Sequence, residues 1–116
     1  MKINIQLIIL SFFLGISFNL QSQDKDNGII EKTKLQLKII DARNSFYSNN
    51  IKTALLNYKE VLAMDSQNAK AEFGLAQCYY KLNNYKEALI HCKKAENINN
   101  EVDENLDFIL GEIYFR

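Results

Sequence analysis

From residue 29 onward, apolar side chains recur at three- and four-residue spacings, interrupted by short asparagine-rich junctions. Over Lys70–Leu82, the residues Phe73, Leu75, Ala76, Tyr79, Tyr80 and Leu82 make one broad apolar stripe. Tyr85, Ala88, Leu89, Cys92 and Ala95 make the next. This is the helical period, because residues three and four apart share a helix face. The junctions Asn49-Asn50 and Asn83-Asn84 are natural stops, since Asn tolerates the left-handed backbone that ends a helix. The pattern predicts five helices, at about Ile29–Tyr47, Ile51–Met64, Ala69–Leu82, Tyr85–Asn97 and Asp103–Phe115. Proline is absent, which suits helices joined by short turns and argues against a strand-rich sandwich.

Residues 1–22 follow a different pattern. Lys2 precedes Ile3–Phe18, a charge-free run rich in Ile, Leu and Phe, and Asn19–Gln23 then turns polar around the small Ser22. A positive start, an apolar stretch and a polar boundary in that order read as a secretory signal cleaved near Ser22. No cysteine follows the run, so a lipoprotein signal is not indicated. Retention as an N-terminal membrane anchor is the second reading, although the run is shorter than the ~20 residues a span needs. Asp24–Gly28 reads as a polar linker, and 23–34 as that linker with the start of the first helix.

The chain also repeats itself. Asn50-Ile51-Lys52-Thr53-Ala54-Leu55 aligns with Asn84-Tyr85-Lys86-Glu87-Ala88-Leu89, and Ala54 stands 34 positions before Ala88. The same offset pairs Ala42 with Ala76, Phe46 with Tyr80, Asn49 with Asn83 and Met64 with Ile98. In period and residues this resembles the tetratricopeptide repeat family, whose unit is a helix–turn–helix of that length. Unit 2, residues 69–102, carries the better match in Leu75, Ala76, Tyr79, Tyr85, Ala88 and Ala95. Unit 1, residues 35–68, keeps Ala42, Phe46, Ala54, Tyr58 and Met64 but departs at Ser45 and Val61. Ser66 and Asn100 replace the proline that often closes a unit. A third unit over 103–116 supplies a first helix, with Leu110-Gly111-Glu112-Ile113-Tyr114 echoing Leu75–Tyr79. The resemblance implies an all-α fold of antiparallel helix-turn-helix repeats, about two and a half units of a short right-handed solenoid. Within it, Leu106, Ile109 and Ile113 are expected to cover the end of the second unit. The face around Leu110, Gly111 and Tyr114 is left uncovered, so the chain is expected to be either marginally stable or paired through the C-terminal helix, most simply as a two-fold dimer.

Charge and chemistry narrow the function by exclusion. Fourteen basic residues balance fourteen acidic ones, and loss of 1–22 would remove only Lys2 and leave the chain one charge negative. Neither the footprint of a nucleic-acid binder nor a polybasic membrane patch is present, and no membrane insertion is expected after signal cleavage. His91 is the single histidine and lacks ligand-spaced neighbours, so a surface position is expected and no metal site. No Gly-x-Ser-x-Gly elbow or glycine-rich phosphate loop occurs, so neither catalysis nor a cofactor is expected. Cys78 and Cys92 fall on facing helices of one unit at packing positions, where free buried thiols are expected over a disulfide.

In the family that the chain resembles, first helices of successive units line a concave surface. The resemblance places Ile39, Phe46, Phe73, Tyr80, Phe108 and Phe115 there, with Arg43, Gln77, Lys81 and Glu112 as a polar lining. If exposed, these side chains form an apolar groove suited to an extended or helical peptide. Ile39 and Phe73 stand where carboxylate-clamping members carry basic residues, so such a clamp is not expected. The expected function is an exported protein-interaction scaffold, periplasmic or extracellular, that binds a protein or peptide partner. The alternative is the N-terminal assembly segment of a longer membrane-anchored sensor, regulator or enzyme.

Overall fold

The structure is a computed structural model that describes residues 25–99, 101–103 and 105–116 and, for 5–24, only their place in the first helix. The leader expected over residues 1–22 otherwise lies outside the described residues. Five helices and no strand occur among the described residues: α1 (Ile5–Tyr47), α2 (Ile51–Met64), α3 (Ala69–Lys81), α4 (Tyr85–Ile98) and α5 (Leu106–Tyr114). The fold is all-α and repetitive, as the periodicity predicts. The chain divides into two compact units, Met1–Lys34 and Leu35–Arg116. In the first, Thr33 Oγ1 donates to the Ile29 carbonyl at 2.9 Å, and Ile29 and Ile30 are exposed. Residues 25–28, expected as a linker, are helical instead. They contain no proline, and a glycine such as Gly28 costs a helix only ~1 kcal/mol.

In the second unit, the helix ends follow from the asparagines. Asn49 and Asn83 both have φ of 62°, the left-handed region. After each, the next amide reaches back across the turn: Asn50 N–H donates to the Ser45 carbonyl at 2.8 Å and Asn84 N–H to the Tyr79 carbonyl at 2.9 Å. These bonds satisfy carbonyls that a helix C-terminus would otherwise leave unpaired. The later turns use side chains. Asn68 accepts from the Ala71 amide at 3.0 Å and caps α3, and the Asn84 side chain accepts from the Glu87 amide at 3.5 Å at the start of α4. The last helix begins at Leu106 rather than Asp103, because the Asp103 carboxylate takes the Asn105 amide at 2.9 Å. That local turn competes with helical hydrogen bonding and delays the start.

Two cores stack along this unit. Ile39 and Ala42 of α1, Ile51, Ala54, Tyr58 and Val61 of α2, and Ala71, Leu75 and Cys78 of α3 form the first. Phe73 and Ala76 of α3, Ala88, Cys92 and Ala95 of α4, and Leu106, Ile109 and Ile113 of α5 form the second. α3 is therefore shared, and it is buried without interruption from Ala71 to Ala76. Alanines at 42, 54, 76 and 88 have no exposed surface, and their size lets neighbouring helices approach. Gly74 goes further: a Cβ there would clash with the ring of the buried Tyr58, 2.3 Å from its Cζ. Leu106, Ile109 and Ile113 cover the end of the second repeat, as their spacing predicts.

Candidate peptide-binding surface

The first helices of the two repeats, α1 and α3, bound a cavity of about 200 Å³. Ile39, Arg43, Phe46 and Tyr47 line it from α1, Lys70, Phe73 and Gln77 from α3, Tyr58 from α2, and Val102, Asp103 and Asn105 from the segment before α5. Five residues expected on the concave surface therefore meet here: Ile39, Arg43, Phe46, Phe73 and Gln77. Their exposures differ. Ile39 and Phe73 are only 5% and 4% exposed, so these two form core floor rather than an open apolar surface. Each stands on a face that a neighbouring helix covers, Ile39 in the first core and Phe73 in the second. Phe46 is half-buried, edge-to-face with Tyr47 at 5.6 Å, and lies under the Lys81 ammonium at 5.3 Å from its ring centre. Arg43 and Lys70 are exposed and Gln77 is half-buried.

The other expected residues stand elsewhere. Tyr80 donates its hydroxyl to Glu112 at 3.1 Å, linking α3 to α5, and its ring meets Tyr85 edge-on at 5.6 Å. Lys81 is engaged with Phe46. Phe108 and Phe115 are 66% and 95% exposed and do not line the cavity. The cavity also includes residues that periodicity did not single out for it. Tyr58 reaches it because Gly74 leaves room for the ring, and burial pushes its phenol up to about 12, with Cys78 adding and Arg43 opposing. It therefore stays a neutral group at the cavity wall. Val102, Asp103 and Asn105 belong to a connection with no repeat, so no pattern marks them.

A second polar constellation corrects the expectation for His91. Its Nδ1 lies 2.6 Å from Oε2 of Glu72, the one charged residue buried in the described core, and its ring stacks on Tyr79 at 5.4 Å. Glu87 Oε2 stands 4.0 Å from Nε2. A buried carboxylate is costly unless paired and hydrogen-bonded. His91 supplies that partner, so its place is the α3–α4 seam and not the open surface. The signal was available in a register that sets Ala76 against Ala88: one turn outward on each helix are Glu72 and His91. The cysteines are free and buried, as expected, and they sit in different cores, Cys78 in the first and Cys92 in the second. Burial pushes the thiols up to about 12 and about 11, with Glu96 adding at Cys92, which keeps both protonated and weakly nucleophilic.

The comparisons with known proteins agree with this geometry. A family model described as a tetratricopeptide repeat matches residues 46–105, the span from the end of α1 to the start of α5. No curated protein matches the chain.

Proposed function

The chain belongs to the tetratricopeptide repeat family, whose repeats are generally non-catalytic protein–protein interaction modules, and from that premise we propose that it is an exported scaffold holding a peptide or protein segment on its α1–α3 face. The observation that carries this reading is the cavity between the two first helices, with a buried floor of Ile39 and Phe73 and exposed Arg43 and Lys70 at its mouth. Interaction sites of this kind combine a fixed apolar recess with a few polar groups that orient the guest. Export is supported by the charge-free run Ile3–Phe18 and the polar boundary at Ser22.

Capture of partners from an envelope extract tests the surface, using the full chain as bait beside Arg43→Glu and Lys86→Glu variants. Arg43 lines the cavity, whereas Lys86 is exposed on α4 and does not line it. A partner lost with Arg43→Glu and kept with Lys86→Glu supports the site. Equal recovery with both variants refutes it.

A second reading, pairing of two copies through α5, is supported by the exposure of Phe108 at 66% and Tyr114 at 62% beside the buried Leu106, Ile109 and Ile113. Sedimentation over a wide concentration range tests it, with Phe108→Glu as the disrupting change. A monomer at every concentration would exclude the pairing.

A further inference from the structure

We propose that α1 pairs with α1 of a second copy of this chain as an antiparallel two-stranded coiled coil, joined along the helix face turned away from the first core. On α1, Leu35, Ile39, Ala42 and Phe46 belong to that core or pack against it. By helical spacing Leu37, Ile40, Asn44 and Tyr47 share the opposite face, and all four are exposed, Leu37 at 56% and Tyr47 at 75%. In sequence the same spacing runs back through Thr33 and Ile30, which are exposed too. From Ile30 to Tyr47 these six residues stand alternately three and four apart. That is the a and d register of a heptad, the pattern of a helix that seats against another helix. One apolar stripe holds a surface helix to its own domain, and a second, opposite stripe needs a partner.

The stripe is complementary to itself. With two helices antiparallel and Leu37 set against the partner's Ile40, two-fold symmetry sets Ile30 against the partner's Tyr47 and Thr33 against the partner's Asn44. Apolar then meets apolar and polar meets polar along the whole seam. A slip of one heptad breaks this match, because Asn44 then faces Ile40 or Thr33 faces Leu37, so the polar pair fixes the register. Charge fixes the orientation. Lys34 and Asp41 flank the stripe on one edge, Gln36 and Arg43 on the other. In an antiparallel pair like edges meet, and Lys34 lies about 3 Å along the axis from the partner's Asp41, an ion pair made twice by symmetry. In a parallel pair unlike edges meet, so Asp41 faces Gln36 and Arg43 faces Ser48, and no ion pair forms. Lys34 and Asp41 are both exposed, and the ion pairs among the described residues involve neither. This seam uses no residue of α5, so it is distinct from the α5 pairing above, and it does not rest on what the α1–α3 face binds.

Sedimentation equilibrium of the full chain, purified as the producing cell processes it, tests the pairing from about 5 µM to about 500 µM. The chain should dimerise within that range. Leu37→Glu, at an exposed position, should leave it monomeric throughout with its helical circular dichroism unchanged. Phe108→Glu, on α5, should leave the dimer intact. Lys34→Glu and Asp41→Lys should each weaken the dimer about three- to ten-fold, and the two together should restore it to within about two-fold. Cross-linking reads the orientation: chains carrying Thr33→Cys are mixed with differently tagged chains carrying Asn44→Cys and mildly oxidised. Cys78 and Cys92 are buried and do not compete. An antiparallel seam gives the mixed disulfide between positions 33 and 44. A monomer at every concentration, a dimer that survives Leu37→Glu or dissolves with Phe108→Glu, or charge reversals that fail to cancel overturns the proposal. So does a disulfide joining position 33 to itself, which would set the two helices parallel.

Discussion

Replacing Gly74 by alanine should destabilise the protein, although the same change in an open helix would stabilise it. Gly74 lies inside α3, where alanine normally gains about 0.5–1 kcal/mol over glycine through backbone entropy. Here an added Cβ would come within 2.3 Å of the Tyr58 Cζ, and that side chain is only 4% exposed in the first core. The ring must then swing out or α2 must move away from α3. Overpacking of this kind costs about 1–3 kcal/mol, so after the helix gain the net loss is roughly 0–2.5 kcal/mol. For a domain of this size, that lowers the melting temperature by about 4–8 °C per kcal/mol. Gly111 is the control. It lies inside α5 with nothing within 4 Å of a Cβ, so Gly111→Ala should raise stability by about 0.5–1 kcal/mol. Urea unfolding followed by circular dichroism gives both values. Combining Gly74→Ala with Tyr58→Leu tests the cause, because removing the ring should abolish the penalty at 74. A rise in midpoint for both glycine variants, or a penalty at 74 that persists without the ring, would refute the contact.

Phe73→Ala should lose about 3–5 kcal/mol as a large-to-small change in a buried site, while Phe108→Ala on the exposed face of α5 should stay within about 0.5 kcal/mol, both read from denaturation midpoints. Asn83→Ala should cost about 1–2 kcal/mol because its φ of 62° is left-handed, whereas Asn83→Gly should cost much less; thermal melts separate them. Alkaline pH should weaken the fold through the thiols. Their ordinary value of 9.0 is pushed up to about 12 at Cys78 and about 11 at Cys92, so the folded state holds these protons more tightly than the unfolded chain. The resulting stability is whole below pH 9 and lost as pH rises towards 11–12, which urea midpoints at pH 8 and pH 10.5 will show; cysteine-to-alanine variants should flatten the slope.

The helices of the second unit were legible because one physical rule wrote them. Apolar residues at helical spacing gave α2, α3 and α4 their extents, and the asparagines at 49 and 83 gave their turns through a backbone conformation few residues accept. The site was legible only in part. A helical stripe says that Ile39 and Phe73 are apolar, but not which neighbour covers them: α2 and α3 bury the first, α4 and α5 the second. Tyr58 reaches the cavity through an absence, the missing side chain of Gly74, which no hydropathy pattern records. Glu72 and His91 are 19 positions apart and pair only once the α3–α4 register is fixed. Asp103 looks like a first helical residue in the pattern, and its own side chain prevents it from being one.

The position of α3 between two cores bears directly on recognition. Lys70 and Gln77 stand immediately before and after the stretch Ala71–Ala76 that is buried on both sides, and Phe73 inside that stretch forms the cavity floor. Movement of this helix would have to disturb Leu75 in one core and Ala76 in the other at once. Arg43 adjoins Ala42, which is fully buried, so the opposite rim is tied to the first core as well. A surface held in this way needs little backbone ordering on binding, which leaves more of the contact free energy for affinity. The contrast is α5, which has a buried face in the second core only and leaves Phe108 and Tyr114 open. Phe108 and Tyr114 lie outside both cores, so these side chains can move without disturbing either. On the scaffold reading proposed above, fixed recognition belongs to the α1–α3 face, and rearrangement on assembly to the exposed side chains of α5.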